Sequence, residues 1–168
     1  WAKSLTAREA EYAARLAPEE MNGVPPWLAQ LVEHHPDVVD RTLGKELSAQ
    51  LSDAVSFAFP GLLADFSRAD HSVLEFFAPR VSAWLSTTPA TFDGEHEQAR
   101  VYDHLERAID FLLRSSGDRS LLHDLARRRL EADPESPFVL LWLMLLFSTA
   151  PEEAIATLEE LVATLAPQ

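Results

Sequence analysis

Apolar residues recur three to four positions apart along most of the chain, and no segment alternates convincingly with period two. This spacing places apolar side chains on one face of an α-helix, whereas a half-buried strand needs alternation. The 168 residues include only five glycines and a single asparagine, Asn22, too few for the turns of an all-β sandwich or barrel. The sequence therefore predicts an all-α fold of about seven to nine helices joined by short loops.

Prolines and capping patterns set the predicted helix boundaries. A proline keeps the preceding residue out of the α region, so Pro36 predicts a corner followed by a helix that runs to Leu51. Pro79 falls inside an apolar stripe and predicts either a kinked helix or two short helices that abut. Three residue pairs have the spacing of a capping box, namely Thr6 with Glu9, Ser72 with Glu75, and Thr149 with Glu152.

One run of ten residues, FVLLWLMLLF from Phe138 to Phe147, is apolar throughout. A membrane-spanning helix needs about twenty apolar residues, so the run is too short and no membrane partner is expected. A helix that is apolar all round is normally covered on several sides by other helices. The run is therefore predicted to be a buried core helix.

The charge of the chain limits its partners. With 14 basic and 27 acidic residues the formal net charge is −13, which argues against a nucleic-acid partner. Residues 131–168 contain seven acids and no Lys or Arg, so this third of the chain should prefer a basic partner. Arg127, Arg128 and Arg129 form the one dense basic cluster, and on a helix at most two of them face one partner. A solvated helix face that balances nearby acids is the simpler interpretation.

No pattern indicates catalysis. The chain has no cysteine, which excludes disulfides, zinc ribbons and thiol catalysis, and it has no GxxxxGK[ST], GxGxxG or GxSxG motif. His96 and Glu97 begin like the metalloprotease motif HExxH, but Arg100 stands where the second histidine ligand is required. We therefore expect no catalytic residue, no metal and no cofactor.

A repeat of 33 residues relates the last helices. A shift by 33 superposes Leu105 on Phe138, Ile109 on Trp142, and Leu125 on Leu158. A period of this length in paired helices is typical of a stacked helical array. Residues 101–167 resemble degenerate tetratricopeptide repeats, with Ala154 at the small position of the second helix and Ala166-Pro167 at the closing turn. The pattern departs from that family where Trp142 and Asp110 replace the small residue of the first helix.

The N-terminal corner has a second resemblance. The segment PPWLAQLVEHHPDVVDRTLGKEL is similar to helix–turn–helix units in α-solenoid regions of large bacterial multidomain proteins. These include the sensor regions of signal-transduction ATPases. Together the two resemblances imply helical hairpins stacked as a short α-solenoid, tetratricopeptide- or HEAT-like, with any nucleotide-binding part outside this chain.

We expect residues 1–168 to form a single helical domain. A linker at 87–94 would allow a division into an irregular helical part, 1–88, and a repeat-like part, 95–168. The sequence begins with Trp1 rather than Met, so we expect a fragment of a larger protein. A cytoplasmic location is expected because no basic stretch precedes an apolar one at the N-terminus. The absence of cysteine is compatible with a reducing compartment.

The predicted function is a non-catalytic helical-repeat module for protein–protein interaction or scaffolding, with a protein or peptide partner. One alternative is a regulatory or sensor segment that packs against other domains of its own bacterial ATPase. Another is a small-molecule-binding or enzymatic helical domain with a pocket near His96, Arg100 and Asp103. The candidate partner-binding residues are Trp27, His34, His35, His96, Arg100, Asp103, Arg127 and Arg128. For His34 and His35, at a predicted helix end, capping is the structural alternative, and for Trp27 it is core packing.

Overall fold

The structure is a computed structural model that describes residues 1–20, 23–52, 61–87, 94–115 and 119–165, apart from the side chains of residues 95, 96 and 165. The described residues form helices and turns, with no β-strand among them, which confirms the all-α fold. The α-helices are α1 (Ala7–Leu16), α2 (Trp27–His34), α3 (Pro36–Val39), α4 (Lys45–Ser52), α5 (Gly61–Phe66), α6 (His71–Thr87), α7 (Glu95–Arg114), α8 (Arg119–Ala132), α9 (Val139–Thr149) and α10 (Pro151–Leu165). Short 3-10 helices cover Ala2–Ser4 and Ala17–Glu19.

The chain divides into two compact units. The first comprises Trp1–Thr87 and Ala99–Gly117, and the second comprises Thr88–Gln98 and Asp118–Gln168. Most of α7 therefore groups with the N-terminal helices, although the sequence suggested a division at 88/95. Of the linker predicted at 87–94, residues 88–93 lie outside the described residues.

Three phenylalanine rings lie in the largely aliphatic core of the first unit. In this unit α2 and α4 both pack against α6, and α1 packs against α3. Phe66 on α5 and Phe77 on α6 are fully buried, and their rings stack with centroids 4.4 Å apart. Phe111 on α7 is also fully buried. These residues follow the helical spacing of the sequence, so the apolar stripes are the faces that the unit buries.

The capping box at the start of α1 is confirmed. The backbone N–H of Thr6 donates to the Glu9 carboxylate at 2.8 Å, and the backbone N–H of Glu9 donates to Thr6 Oγ1 at 3.3 Å. Each side chain thus satisfies a backbone donor that the first helical turn leaves unpaired. The Thr6 contacts also hold the pKa of Glu9 below its usual value.

The other two predicted capping boxes are wrong. Helix α6 begins one residue before Ser72, and Asp70 Oδ1 accepts bonds from both the backbone N–H and the hydroxyl of Ser72. Thr149 is the last residue of α9, and its hydroxyl donates to the Leu145 carbonyl at 3.0 Å. In both cases the hydroxyl donates to a nearby acceptor instead of capping the start of a helix.

A π-helical segment, Asp40–Gly44, separates α3 from α4, where the sequence predicted one regular helix. Beside it, Arg80 of α6 makes two bonds to the Asp40 carboxylate, at 2.8 and 2.6 Å. Gly44 is buried under this pair, and a Cβ atom there would lie 2.7 Å from both Arg80 Nε and Asp40 Oδ1. The absence of a side chain at Gly44 is therefore what lets the guanidinium lie against the helix.

The effect of Gly44→Ala on the free energy of unfolding should have opposite signs in the native chain and in an Arg80→Ala background. Alanine favours a helix over glycine by about 1 kcal/mol. In the native chain the added methyl displaces the guanidinium from Asp40 and from Ser48, which accepts a 3.0 Å bond from Arg80. Because such crowding costs about 1–3 kcal/mol, we expect a net loss of about 1 kcal/mol.

In an Arg80→Ala background only the Asp40 carboxylate still crowds the added methyl, and without the guanidinium to hold it this side chain can rotate away. Gly44→Ala should then stabilise the chain by up to about 1 kcal/mol. Urea unfolding of the two single variants and the double variant measures this coupling. An equal effect of Gly44→Ala in both backgrounds would show that Arg80 does not require the glycine.

Pro79 lies inside one helix. Helix α6 runs from His71 to Thr87 without interruption, so the alternative of two abutting helices is wrong. Proline has no N–H to complete the helical bond to the carbonyl four residues earlier. The helix nevertheless continues because its buried face, which includes Val73, Phe77 and Val81, remains packed on both sides of the proline.

Candidate functional site

Three consecutive helices of the second unit, α8, α9 and α10, pack in chain order, with α8 against α9 and α9 against α10. Helix α10 begins at Pro151, where its fixed φ and missing N–H suit the first helical position. Glu152 and Glu153 in the first turn complement the positive end of the helix dipole. The fully buried Ala154 gives α10 a small side chain on its packed side.

The buried side of α9 is centred on Trp142. This side chain is only 3% exposed, and the Arg129 guanidinium of α8 lies 5.6 Å from the ring centroid. A cation over an aromatic face is attracted by the ring quadrupole. Burial, together with the charge of Arg128, lowers the pKa of Arg129 below its usual value. The bulky residue that departs from the tetratricopeptide pattern is thus part of the packing between α8 and α9.

The opposite side of α9 and one side of α10 carry six large apolar side chains that are exposed. We call this set the outer apolar face, and its members are between 37% and 67% exposed. They are Leu140, Met144 and Phe147 on α9, and Ile155, Leu158 and Val162 on α10. The prediction that the ten-residue apolar run is a buried core helix is therefore wrong for this side, because none of the helices that the structure describes covers these three positions of α9 enough to bury them.

The six residues form three matched pairs. Phe147 and Ile155 are each four positions from Pro151, Met144 and Leu158 seven, and Leu140 and Val162 eleven. Consecutive helices that pack as a hairpin place residues equidistant from the turn at the same height. By this spacing we group the outer apolar face into three rungs, each with one side chain from α9 and one from α10 at the same distance in sequence from Pro151.

A groove lies on the other side of the same helices. It has a volume of about 370 Å³, and Leu130 of α8, Leu146 of α9, and Ala156 and Glu160 of α10 are among its lining residues. At about 100° per residue, the rung residues of each helix point well away from these lining positions. The outer apolar face and the groove are thus on opposite sides of the hairpin.

Acidic residues border the outer apolar face. Glu152 and Glu159 are exposed, lie seven positions apart, and fall on the edge of α10 next to Ile155 and Val162. The segment 131–168 contains no Lys or Arg that could neutralise this edge locally. The face is therefore an apolar strip with a negative border.

A histidine–carboxylate pair joins α8 to α10 at the groove. His123 Nε2 lies 2.7 Å from Glu153 Oε2, and His123 Nδ1 lies 3.4 Å from Asp124 Oδ1. Arg127 Nε is 2.8 Å from Glu131 and 3.9 Å from Glu153. The Glu153 carboxylate thus has a second cation, the Arg127 guanidinium, near it. The hydrogen bond to Glu153, followed by the charges of Glu153 and Asp124, raises the pKa of His123 above 6.5.

This pair should make the second unit more stable at mildly acidic pH. A histidine whose pKa is raised by folding stabilises fully below the unfolded-state pKa of about 6.5, and its contribution disappears as the pH rises through the folded-state pKa. His123→Gln is therefore expected to remove part of the stability measured near pH 5.5 and little of that near pH 8.5. Because the pair is partly open to solvent, the difference should be at most about 1 kcal/mol.

Urea unfolding at the two pH values, in native chain and variant, measures this effect. Glu153→Gln is the matched control, since it removes the nearer of the two carboxylate charges beside His123 and should flatten most of the pH dependence. A pH dependence that is unchanged in both variants would show that the pair does not titrate with folding.

The basic candidates of α8 point in different directions. Arg127 faces the carboxylates of Glu131 and Glu153 at the groove, whereas Arg128 Nε donates to the backbone carbonyl of Asp124 at 3.1 Å. Their guanidinium groups thus bond to neighbours within the second unit.

The N-terminal candidates lie in the first unit. Trp27 is half-buried and meets Trp1 edge to face, with centroids 5.6 Å apart. His34 is exposed, and its Nε2 is 4.0 Å from a Glu33 carboxylate oxygen. His35 Nε2 lies 2.9 Å from the Ala2 carbonyl, which can only accept, so this nitrogen carries a hydrogen. The imidazole of His35 thus fastens the N-terminal 3-10 helix.

The residues proposed for a small-molecule pocket lie on α7. The side chain of His96 lies outside the described residues, and Asp103 accepts a 3.1 Å bond from Arg107 Nε. The carbonyl of Arg100 is 2.9 Å from Nδ1 of the fully buried His104. Within the described part of α7, these contacts join residues one helical turn apart.

Sequence reasoning missed the outer apolar face. The apolar run of α9 was recognised, but it was assigned to the core. The signal that identifies the face is the placement of apolar residues four, seven and eleven positions before and after Pro151. Two helices that leave the same turn with the same apolar spacing present one shared strip.

The described residues contain no group of three or more His, Asp or Glu side chains that could hold a metal ion. In the same part of the chain, no helix is both long and apolar enough to cross a bilayer. Comparison of the chain with protein-family models, curated proteins and solved structures gives no match.

Proposed function

We propose that the chain is a non-catalytic helical-repeat module that binds a protein or peptide partner through the outer apolar face. The observation that supports this proposal is the set of six exposed apolar side chains on two consecutive helices. Single apolar residues are normal on protein surfaces, but six large ones on two helices that pack together, with acids beside them, are typical of an interaction site. Large side chains such as Phe147 and Met144 are also the kind that anchor protein interfaces.

The proposal includes a short α-solenoid arrangement for the repeat-like helices. Packing in chain order, α8 on α9 and α9 on α10, supports it because repeat arrays bury their apolar faces against sequence neighbours. In such arrays the surfaces of successive helices form extended binding sites. Trp142, which departs from the tetratricopeptide pattern, contributes bulk on the packed side of α9 and leaves the outer apolar face unaffected.

The same face supports one alternative. A strip of exposed side chains on α9 and α10 also suits a helix from another domain of the same protein, as expected for a regulatory segment of a larger ATPase. The two functions differ in whether the isolated chain captures a separate partner. An experiment on the isolated chain therefore distinguishes them.

Affinity capture from a lysate of the encoding organism, read by mass spectrometry, tests the proposal with three forms of the chain. Met144→Glu places a charge in the middle rung, and Gln30→Glu adds the same charge at an exposed position of α2. We expect a partner captured by the native chain and by Gln30→Glu, and lost with Met144→Glu. Capture by all three forms would show that the face is not the site, and capture by none would favour the regulatory segment.

A further inference from the structure

We propose that the partner of the outer apolar face is an amphipathic α-helix with two basic residues, seven positions apart, along one edge of its apolar stripe. This inference rests on the proposed function and names the occupant of that site. It follows from the dimensions of the face, from the positions of the two acids beside it, and from the absence of cations in the same segment.

The dimensions of the face match a helix. The three rungs follow one another at intervals of three and four residues, so the face is about 10 Å long between its outer rungs. Apolar side chains at positions i, i+3 or i+4, and i+7 of a bound helix have the same spacing. A partner helix that lies along the hairpin can therefore place one apolar side chain against each rung.

The border of the face selects the charge of that helix. Glu152 and Glu159 lie on the same edge of α10 and are separated by about two helical turns. Lys or Arg residues at i and i+7 of a partner helix have the same separation. Exposed ion pairs contribute little energy each, but opposite charges along an interface fix its register and exclude like-charged partners.

A second copy of this chain fits the face less well. Its own α9 and α10 supply apolar side chains, but no Lys or Arg within residues 131–168 to meet Glu152 and Glu159. Association of two copies would also bring together two chains with a formal net charge of −13 each. Like charges placed against one another oppose association.

Synthetic helical peptides test the charge requirement on the intact 168-residue chain. Each peptide has about 18 residues, enough to form a helix, and the same leucine stripe. The first has two lysines seven positions apart on one edge, and the second has two glutamates at those positions. A third has the first peptide's composition, with the lysines moved to the face opposite the leucines. Fluorescence anisotropy gives the dissociation constants at low and high salt.

We expect the first peptide to bind about tenfold more tightly than either of the others, corresponding to two surface ion pairs. The difference should shrink at high salt because the charges are solvent-exposed. The double variant Glu152→Lys/Glu159→Lys should reverse the preference toward the glutamate peptide. Glu160→Lys, which changes the charge on the groove side of the same helix, should leave the preference unchanged.

Four outcomes overturn the inference. Equal binding of the three peptides, or no binding of any, shows that the face does not select a basic helix. A dimer of the native chain that Met144→Glu dissociates, measured by analytical ultracentrifugation, assigns the face to a second copy. Binding to vesicles of phosphatidylcholine with phosphatidylserine that the same variant abolishes assigns it to a membrane surface.

The failure of this inference is distinguishable from the failure of the proposed function. If affinity capture depends on Met144 while the peptides bind equally, the face is an interaction site whose partner is not a basic helix. If affinity capture does not depend on Met144, the proposed function itself is wrong.

Discussion

Replacing Phe77 with alanine should lower the free energy of unfolding of the first unit by about 3–5 kcal/mol. The ring is fully buried on α6 and stacks on Phe66 with an interplanar angle of 7°. The substitution removes the apolar area of the ring, the stacking contact and the edge contact to Phe76, whose centroid is 4.9 Å away. Typical domains are stable by only about 5–15 kcal/mol, so much of the folding free energy should be lost.

Two further variants separate the causes. Phe77→Leu keeps most of the buried volume and loses the aromatic contacts, so its effect should be well below that of alanine. Phe76→Ala removes a half-buried ring from the same helix and should also cost less, because it leaves a smaller cavity. Urea unfolding followed by circular dichroism gives the three values. Equal losses for Phe76→Ala and Phe77→Ala would contradict the described core.

Replacing Trp142 with alanine should have a comparable effect on the second unit, about 3–5 kcal/mol. The indole is 3% exposed and carries the Arg129 guanidinium over its ring. Removing it creates a cavity between α8 and α9 and also deprives a partly buried cation of its aromatic contact. Hydrogen exchange of the α9 amides measures this loss of stability locally. It is preferred to tryptophan fluorescence because the chain has four tryptophans.

Arg129→Met is the matched control for Trp142. It keeps the aliphatic packing of the arginine stem and removes only the cation, so it should cost about 1 kcal/mol or less. Trp142→Phe keeps a ring under Arg129 and should fall between the two. If Trp142→Ala costs no more than Arg129→Met, the indole does not fill the space between α8 and α9.

Helix type and most helix positions are predictable because they depend on local spacing. The capping box of Thr6 and Glu9 was predicted correctly because both partners are three residues apart and nothing competes for them. The pattern failed at Ser72, where Asp70 binds the hydroxyl, since a spacing rule cannot show where the helix begins. The π-helical segment was not predictable because its partner, Arg80, is 40 residues from Asp40.

The candidate site was missed for a different reason. An apolar run identifies a helix with apolar sides, but the number of helices that cover it depends on tertiary packing. The sequence predicted FVLLWLMLLF to be a buried core helix covered on several sides, whereas Leu140, Met144 and Phe147 remain exposed. The candidates chosen instead, such as His35 and Asp103, were polar residues with possible chemistry, and their bonds join parts of the first unit.

Among the residues of α10 whose side chains are described, Ala154 alone is buried. Because local opening is governed by the contacts that it breaks, we expect α10 to detach at a fraction of the cost of global unfolding. A ligand that contacts both α9 and α10 would hold the two helices together. Its binding would slow amide exchange throughout α10, and part of its affinity would be spent on suppressing that opening.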